Sequence, residues 1–144
     1  MTKTPLIVDT GFWLALANRQ DQHHARAITA LQNIVPTRRL ISTWPVMTET
    51  CHLLLQRLGH PALMAFMASF SAGSFTVFEL PDSQHQRLEQ LMQKYRDLPM
   101  DLADASLLLL AEQLACGDIL STDQRDFQTY RWKQTRPFNN LLLS

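Results

Sequence analysis

Cysteine and glycine are scarce in this chain, and an excess of charge of either sign is absent. Two cysteines, Cys51 and Cys116, stand far apart in 144 residues and belong to no Cys-x-x-Cys pair. That excludes a disulfide scaffold and a structural zinc site, and leaves two buried thiols as the expectation. Four glycines exclude collagen-like and low-complexity architectures. Thirteen Lys and Arg balance thirteen Asp and Glu, which argues against a histone-like nucleic-acid binder. No apolar run approaches the roughly 18–20 residues that span a bilayer, so no membrane association is expected. The opening Met-Thr-Lys-Thr-Pro leads directly into Leu6-Ile7-Val8, too short an apolar stretch for a secretory signal, and a cytoplasmic location follows as the expectation. What is present is a hydrophobic fraction of 46% with 18% charged residues. With no repeat or linker, this composition predicts a single domain over residues 1–144 with a sizeable core.

Hydrophobic periodicity places short strands between helices. Leu6-Ile7-Val8, Leu40-Ile41-Ser42, Phe75–Glu79 and Ile119-Leu120-Ser121 are predicted strands, and Asn140–Leu143 is a candidate for a last one. Helices are predicted through Phe12–Leu16, over His24–Ile34, from Pro45 to Leu58 ending at Gly59, and from Pro61 to about Phe70. Ser83-x-x-Gln86 has the pattern of a capping box ahead of a helix carrying Leu88, Leu91, Met92 and Tyr95. The segment from Asp101 to Ala115 is apolar nearly all round and should be the most buried helix, with Gly117 as its cap. Strands alternating with helices predict an α/β protein, a three-layer sandwich around a central, mainly parallel sheet.

Four carboxylates stand out by position. Asp9 and Asp123 directly follow predicted strands, and in open parallel sheets the carboxyl ends of strands are where sites are built. Glu49 has Val46 and Leu53 as same-face neighbours on its helix. Asp104 lies one turn inside the most apolar helix, between Ala103 and Ala105. Neither has a Lys or Arg three or four residues away, and an ionised carboxylate on an apolar face is costly without compensation. Four such acids from four elements have the chemistry of oxygen ligands for a hard divalent cation such as Mg²⁺ or Mn²⁺.

Several neighbours have two readings each. Asp101 suits an N-cap for the helix holding Asp104, or a metal ligand. Asp126 is expected to hold its loop rather than an ion. Thr10 and Thr122, each beside a site acid, are either capping residues or hydroxyl contacts to a ligand. Between residues 124 and 136, Arg125, Arg131, Lys133 and Arg136 face one acid, Asp126, with Tyr130 and Trp132 interleaved. Such a stretch suits single-stranded RNA through phosphate contacts and stacking, or is a solvated surface with Trp132 packed inward.

The segments Leu6-Ile7-Val8-Asp9-Thr10, Thr48-Glu49-Thr50, Leu102-Ala103-Asp104-Ala105-Ser106 and Ser121–Phe127, in this order, resemble the PIN-domain family, especially the VapC-type toxins of bacterial toxin–antitoxin pairs. The resemblance covers about residues 5–130. It implies a PIN-like parallel sheet, Mg²⁺- or Mn²⁺-dependent endoribonuclease activity and frequent homodimers. It matches Asp9, Glu49, Asp104 and Asp123 to the family's catalytic, metal-binding acids and gives Asp101 no firm place. It also implies RNA as substrate and an antitoxin protein as a possible partner. A catalytically silent PIN-like domain that binds RNA or protein is the alternative, although such a domain is expected to have lost one or more acids.

Other readings find less support. Glu49-x-x-His52 is half of a di-iron motif with no second copy in the chain. There is no Walker loop, no Gly-x-Gly-x-x-Gly and no Gly-x-Ser-x-Gly. Pro61–Ala68 contains no charged residue, so its helix is either wholly buried or packs on a second subunit or an antitoxin helix.

Overall fold

The computed structural model describes residues 3–143. Its centre is a five-stranded, all-parallel sheet in the order β3-β2-β1-β4-β7, where β1 is Thr4–Val8, β2 Arg38–Thr43, β3 Thr76–Phe78, β4 Asp118–Leu120 and β7 Asn139–Asn140. Strand β1 reads as an unbroken apolar run because it is the middle strand, covered on both faces; Leu6, Ile7 and Val8 are fully buried. Helices flank the sheet. On one side α1 (Thr10–Ala17) packs on α2 (His24–Asn33) and α3 (Trp44–Leu58), and α3 packs on α4 (His60–Ser71). Helix α5 (His85–Lys94) lies on α6 (Leu102–Leu114), which rests on β1 and β2. This is the three-layer, mainly parallel arrangement anticipated from the alternation of elements.

Helix α6 owes its position to its leucines: Leu107, Leu108, Leu109, Leu110 and the flanking Ala105 and Ala111 are all buried. Its C-terminus is closed by Ala115 in the left-handed region (φ 52°), not by Gly117. Gly117 serves a different need, because a methyl there would overlap Nε1 of Trp132. At the end of the sheet remote from the carboxyl termini of the strands, Arg38 reaches across three strands. It donates to Thr4 O (3.2 Å) and Pro5 O (2.8 Å) and pairs with Asp118 Oδ2 at 2.6 Å.

Further details differ from expectation, and Cys51 and Cys116 are both half-buried rather than fully buried. Ser83 lies in a 3₁₀ turn (Asp82–Gln84), and α5 begins at His85 without a side-chain cap, so no capping box forms. The last strand is Asn139–Asn140 rather than 140–143, with Leu142 buried beyond it. Leu58, whose helical spacing from Met47, Cys51 and Leu54 predicts a buried position, is 37% exposed. The stretch after α7 (Gln124–Thr129) folds as an antiparallel ribbon of β5 (Arg131–Trp132) and β6 (Arg136–Pro137). Its turn is pinned by Glu112 on α6, which accepts from Lys133 N at 2.6 Å and from Arg87 Nη2 at 3.0 Å.

Candidate metal and catalytic site

The strand order reverses about β1, which continues to β2 on one side and has β4 on the other. A crevice at such a point lies beyond the carboxyl ends of the strands, and Asp9 and Asp123 flank it. Asp9 directly follows β1, with its N–H donating to Leu120 O of β4 at 3.1 Å. Its side chain is the N-cap of α1, accepting from Thr10 N (2.8 Å) on Oδ1 and from Ser121 Oγ (3.0 Å) on Oδ2. Burial raises its pKa to about 6. The two donors temper that rise, and the negative charges of Glu49 and Asp123 add to it.

Asp104 is brought to the same place by the start of α6. Asp101 caps that helix, accepting from Asp104 N at 2.8 Å. A hydroxyl pair fixes the first turn to the end of β2: Thr43 Oγ1 and Ser106 Oγ lie 2.7 Å apart, and Ser106 Oγ is 2.7 Å from Ala103 O. Asp104 Oδ2 accepts from the hydroxyl of Tyr130 at 2.8 Å. Burial and the charge of Asp101 raise the Asp104 pKa to about 8; Asp9 and Asp123 contribute further, and the Tyr130 bond opposes. Burial, then Asp104, push the Tyr130 phenol well above its usual range, so it stays a donor.

Asp123 caps α7, accepting from Asp126 N at 3.2 Å, and its own N–H donates to Ser121 Oγ at 3.0 Å. Its pKa is raised by burial, with the Asp126 backbone N–H opposing and the Asp126 carboxylate adding to the rise. Asp104, Asp123 and Asp126 each offer a carboxylate oxygen within 4.8 Å of the others. Glu49, half-buried on α3, faces Asp9 closely enough for its charge to act there. Asp104, Asp123 and Asp126 thus cluster, with Asp9 and Glu49 near enough for their charges to be felt; all are hard oxygen donors, and Asp9, Asp104 and Asp123 are held above their ordinary pKa chiefly by burial. That donor set fits a hard divalent cation.

Other expected residues are placed differently. Thr10 is buried, with its Oγ1 3.2 Å from Thr50 Oγ1, so its hydroxyl is taken up inside the fold. Thr122 packs against Gly11, where a methyl would overlap Thr122 Oγ1. Asp101 is exposed and serves as a helix cap. Arg125 is exposed and pairs with Asp126 at 3.1 Å, while Arg131 donates to Gln128 O and Tyr130 O. Lys133 is exposed at the ribbon turn, 5.9 Å from the Trp132 ring centroid. Of the two readings of this stretch, the structure has Trp132 packed inward: it and Tyr130 are both buried, so neither is open to stacking, and Trp132 Nε1 donates to Pro137 O at 3.1 Å.

Sequence reasoning passed over three contributors. The strand-end argument that selected Thr122 applies one residue earlier to Ser121, whose hydroxyl reaches Asp9. Asp126 was assigned to its loop, yet its carboxylate joins the cluster. Tyr130 carried no local signal, because its partner is 26 residues away.

Comparison with known proteins follows the same lines. The family model described as PIN domain matches residues 6–133. A curated relative, Ribonuclease VapC26 of Mycobacterium tuberculosis, is 24% identical over 126 residues, covering 88% of this chain and 92% of its own. Among solved structures, VapC20 of Mycobacterium tuberculosis, described as a sarcin–ricin loop cleaving toxin, superposes with a TM-score of 0.73 at 22% identity. The superposition covers 83% of this chain and 91% of VapC20.

Proposed function

This chain belongs to the PIN domain family, and on that footing we propose that it is a metal-dependent endoribonuclease, the toxin of a bacterial toxin–antitoxin pair, acting in the cytoplasm. The observation that carries the reading is the convergence of Asp9, Glu49, Asp104 and Asp123 at the carboxyl end of the sheet, all four acids retained. A silent binding domain has no use for several crowded carboxylates that raise one another's pKa. The relatedness to a protein named a ribonuclease supports the same choice.

Asp104 and Asp123 would hold the cation, Mg²⁺ or Mn²⁺, with Asp9 and Glu49 completing the set and Asp126 close enough to join. When bound, such an ion neutralises phosphoryl charge and lowers the pKa of water. The protein's own residues do the positioning. Ser121 and the Thr10 N–H orient Asp9, Tyr130 orients Asp104, and the Asp126 N–H orients Asp123. Glu49, free of a side-chain hydrogen bond among the described residues, is the carboxylate suited to accept a proton from the attacking water. In the segment that follows Asp123, Arg125 and Lys133 are exposed and Arg131 is half-buried, and all three suit phosphate contacts on the RNA.

Helix α4 offers a surface for a second subunit or an antitoxin. Among its residues Phe66 is buried while Met64 is 49% exposed, and Leu55 and Leu58 on α3 are also exposed. No helix among the described residues is long and apolar enough to cross a membrane.

The test is RNA cleavage by the purified protein with Mg²⁺ or Mn²⁺, compared with Asp9→Asn. Cleavage that needs the ion and disappears in the variant supports the enzyme. Specific RNA binding without cleavage, at any metal, would instead favour the silent binding domain.

A further inference from the structure

Three tryptophans occur in the chain; Trp13 and Trp132 are buried, at 7% and 8% exposure, and Trp44 is 44% exposed. Trp44 is the first residue of α3, placed there by the end of β2, five positions before Glu49. An open groove of about 600 Å³ runs along α3 from Trp44 past Thr48 and Glu49 to His52, with Asp101 and Leu102 at the start of α6 also lining it. Leu102, 48% exposed, adds a second apolar surface. Trp44, Pro45 and Leu102 also border a narrower cavity of about 200 Å³ that reaches Thr43 and Ser106.

Although exposed, the indole is held in one pose. Its Nε1 donates to Glu79 Oε1 at 2.9 Å, and Phe70 meets it edge-on, with ring centroids 6.0 Å apart and planes at 84°. A large apolar ring that is fixed but uncovered loses little further freedom when something lies on it.

We propose that Trp44 is the stacking platform for an unpaired nucleobase adjacent to the scissile phosphate of the RNA. This rests on the ribonuclease reading and adds the substrate's placement to it. The groove is lined by no Lys or Arg and carries the carboxylates of Glu49 and Asp101, so it does not bind phosphates by ion pairing. It joins a flat apolar face to Glu49, one of the acids proposed to complete the cation's set. A nucleotide satisfies both ends at once, with its base on the indole and its phosphate at the acids. Stacking also tolerates any base, since every base has a π-face. An apolar helix of a protein partner would cover Trp44 but would leave Glu49 and Asp101 facing it without compensation.

The experiment uses the full chain in EDTA, where RNA can bind uncut, titrated with a single-stranded RNA octamer. Tryptophan fluorescence should be quenched on binding, and the quench should be absent in Trp44→Phe, which retains the two buried tryptophans. Affinity read by anisotropy of a labelled octamer should fall about 5- to 100-fold in Trp44→Leu and much less in Trp44→Phe. With Mn²⁺ present, Trp44→Leu should raise KM and change kcat little. Equal affinity of wild type and Trp44→Leu would overturn the proposal, as would RNA binding that leaves wild-type fluorescence unchanged. Quenching that tracks protein concentration without RNA would assign the face to a second copy and overturn it as well. Quenching and a Trp44-dependent affinity in a protein that cuts no RNA at any metal would overturn the nuclease reading and leave the stacking platform standing.

Discussion

Tyr130 donates its hydroxyl hydrogen to Oδ2 of Asp104 across 2.8 Å, joining the segment after α7 to the first turn of α6. The phenol ring is fully buried, edge-on to Tyr95 and Phe127 at 5.0 and 5.2 Å. The contact orients one carboxylate of the site and favours its charged form.

Tyr130→Phe keeps the ring packing and removes that bond. It is expected to cost about 1–2 kcal/mol of stability, measured by urea unfolding. It should also move the pH midpoint of Mn²⁺ binding upward, since Asp104 loses the donor that opposes its protonation. An unshifted midpoint, followed by Mn²⁺ electron paramagnetic resonance across pH, would reduce Tyr130 to a packing residue.

The Asp104 carboxyl, held near pH 8 in the fold against an ordinary 3.8, keeps its proton more tightly folded than unfolded. Its contribution to the stability of the metal-free protein therefore falls as pH rises from about 4 to about 8 and is level outside that window. Asp104→Asn should melt at or above wild type in EDTA near neutral pH and lack that part of the pH slope. Mn²⁺ should raise the wild-type melting temperature and move the variant far less. A variant clearly less stable in EDTA would make Asp104 a structural residue.

Metal affinity itself should climb with pH. Asp9 titrates at about 6 and Asp104 at about 8, and a cation must displace both protons. Calorimetry in buffers of different ionisation enthalpy should detect proton release on Mn²⁺ binding at pH 6 and progressively less toward pH 9. Binding without proton release at pH 6 would contradict the raised values.

Arg38 and Asp118 lie at the opposite end of the sheet from the acids. Arg38→Ala removes three hydrogen bonds that clamp β2, β1 and β4. It is expected to destabilise by about 2–3 kcal/mol while leaving Mn²⁺ affinity unchanged below its melting range. Thermal denaturation with metal titration checks both halves.

Ala115 sits at φ 52°, a backbone region that costs an L-residue roughly 1 kcal/mol and glycine almost nothing. Ala115→Gly should therefore stabilise by about 0.5–1 kcal/mol. A loss of stability would mean that the alanine methyl contributes packing that outweighs the strain.

How much of this was legible in sequence follows from the range over which each signal acts. β1 and α6 were readable because continuous apolar runs report burial on all sides. The local settings of Asp9, Glu49, Asp104 and Asp123, at strand ends and on helices, were readable because their neighbours in sequence are also their neighbours on the element. Ser83 misled because a capping box and a 3₁₀ turn share the same residues, and only the following backbone separates them. The ribbon of β5 and β6 has two residues per strand, too few for alternation to show. Tyr130 and Trp132 looked like surface aromatics because their polar neighbours dominate the local pattern. Their burial depends on α6, α5 and Gly117, which are distant in the chain.

The bond from Ser121 to Asp9 spans 112 positions, and this has a consequence for the timing of synthesis. A growing chain that has not reached β4 has Asp9, Glu49 and Asp104 but neither the strand that seats the first nor the tyrosine that steadies the third. Asp123 and Asp126 are still to come. No shorter translation intermediate carries the assembled acidic cluster, which is complete only once Tyr130 has been made.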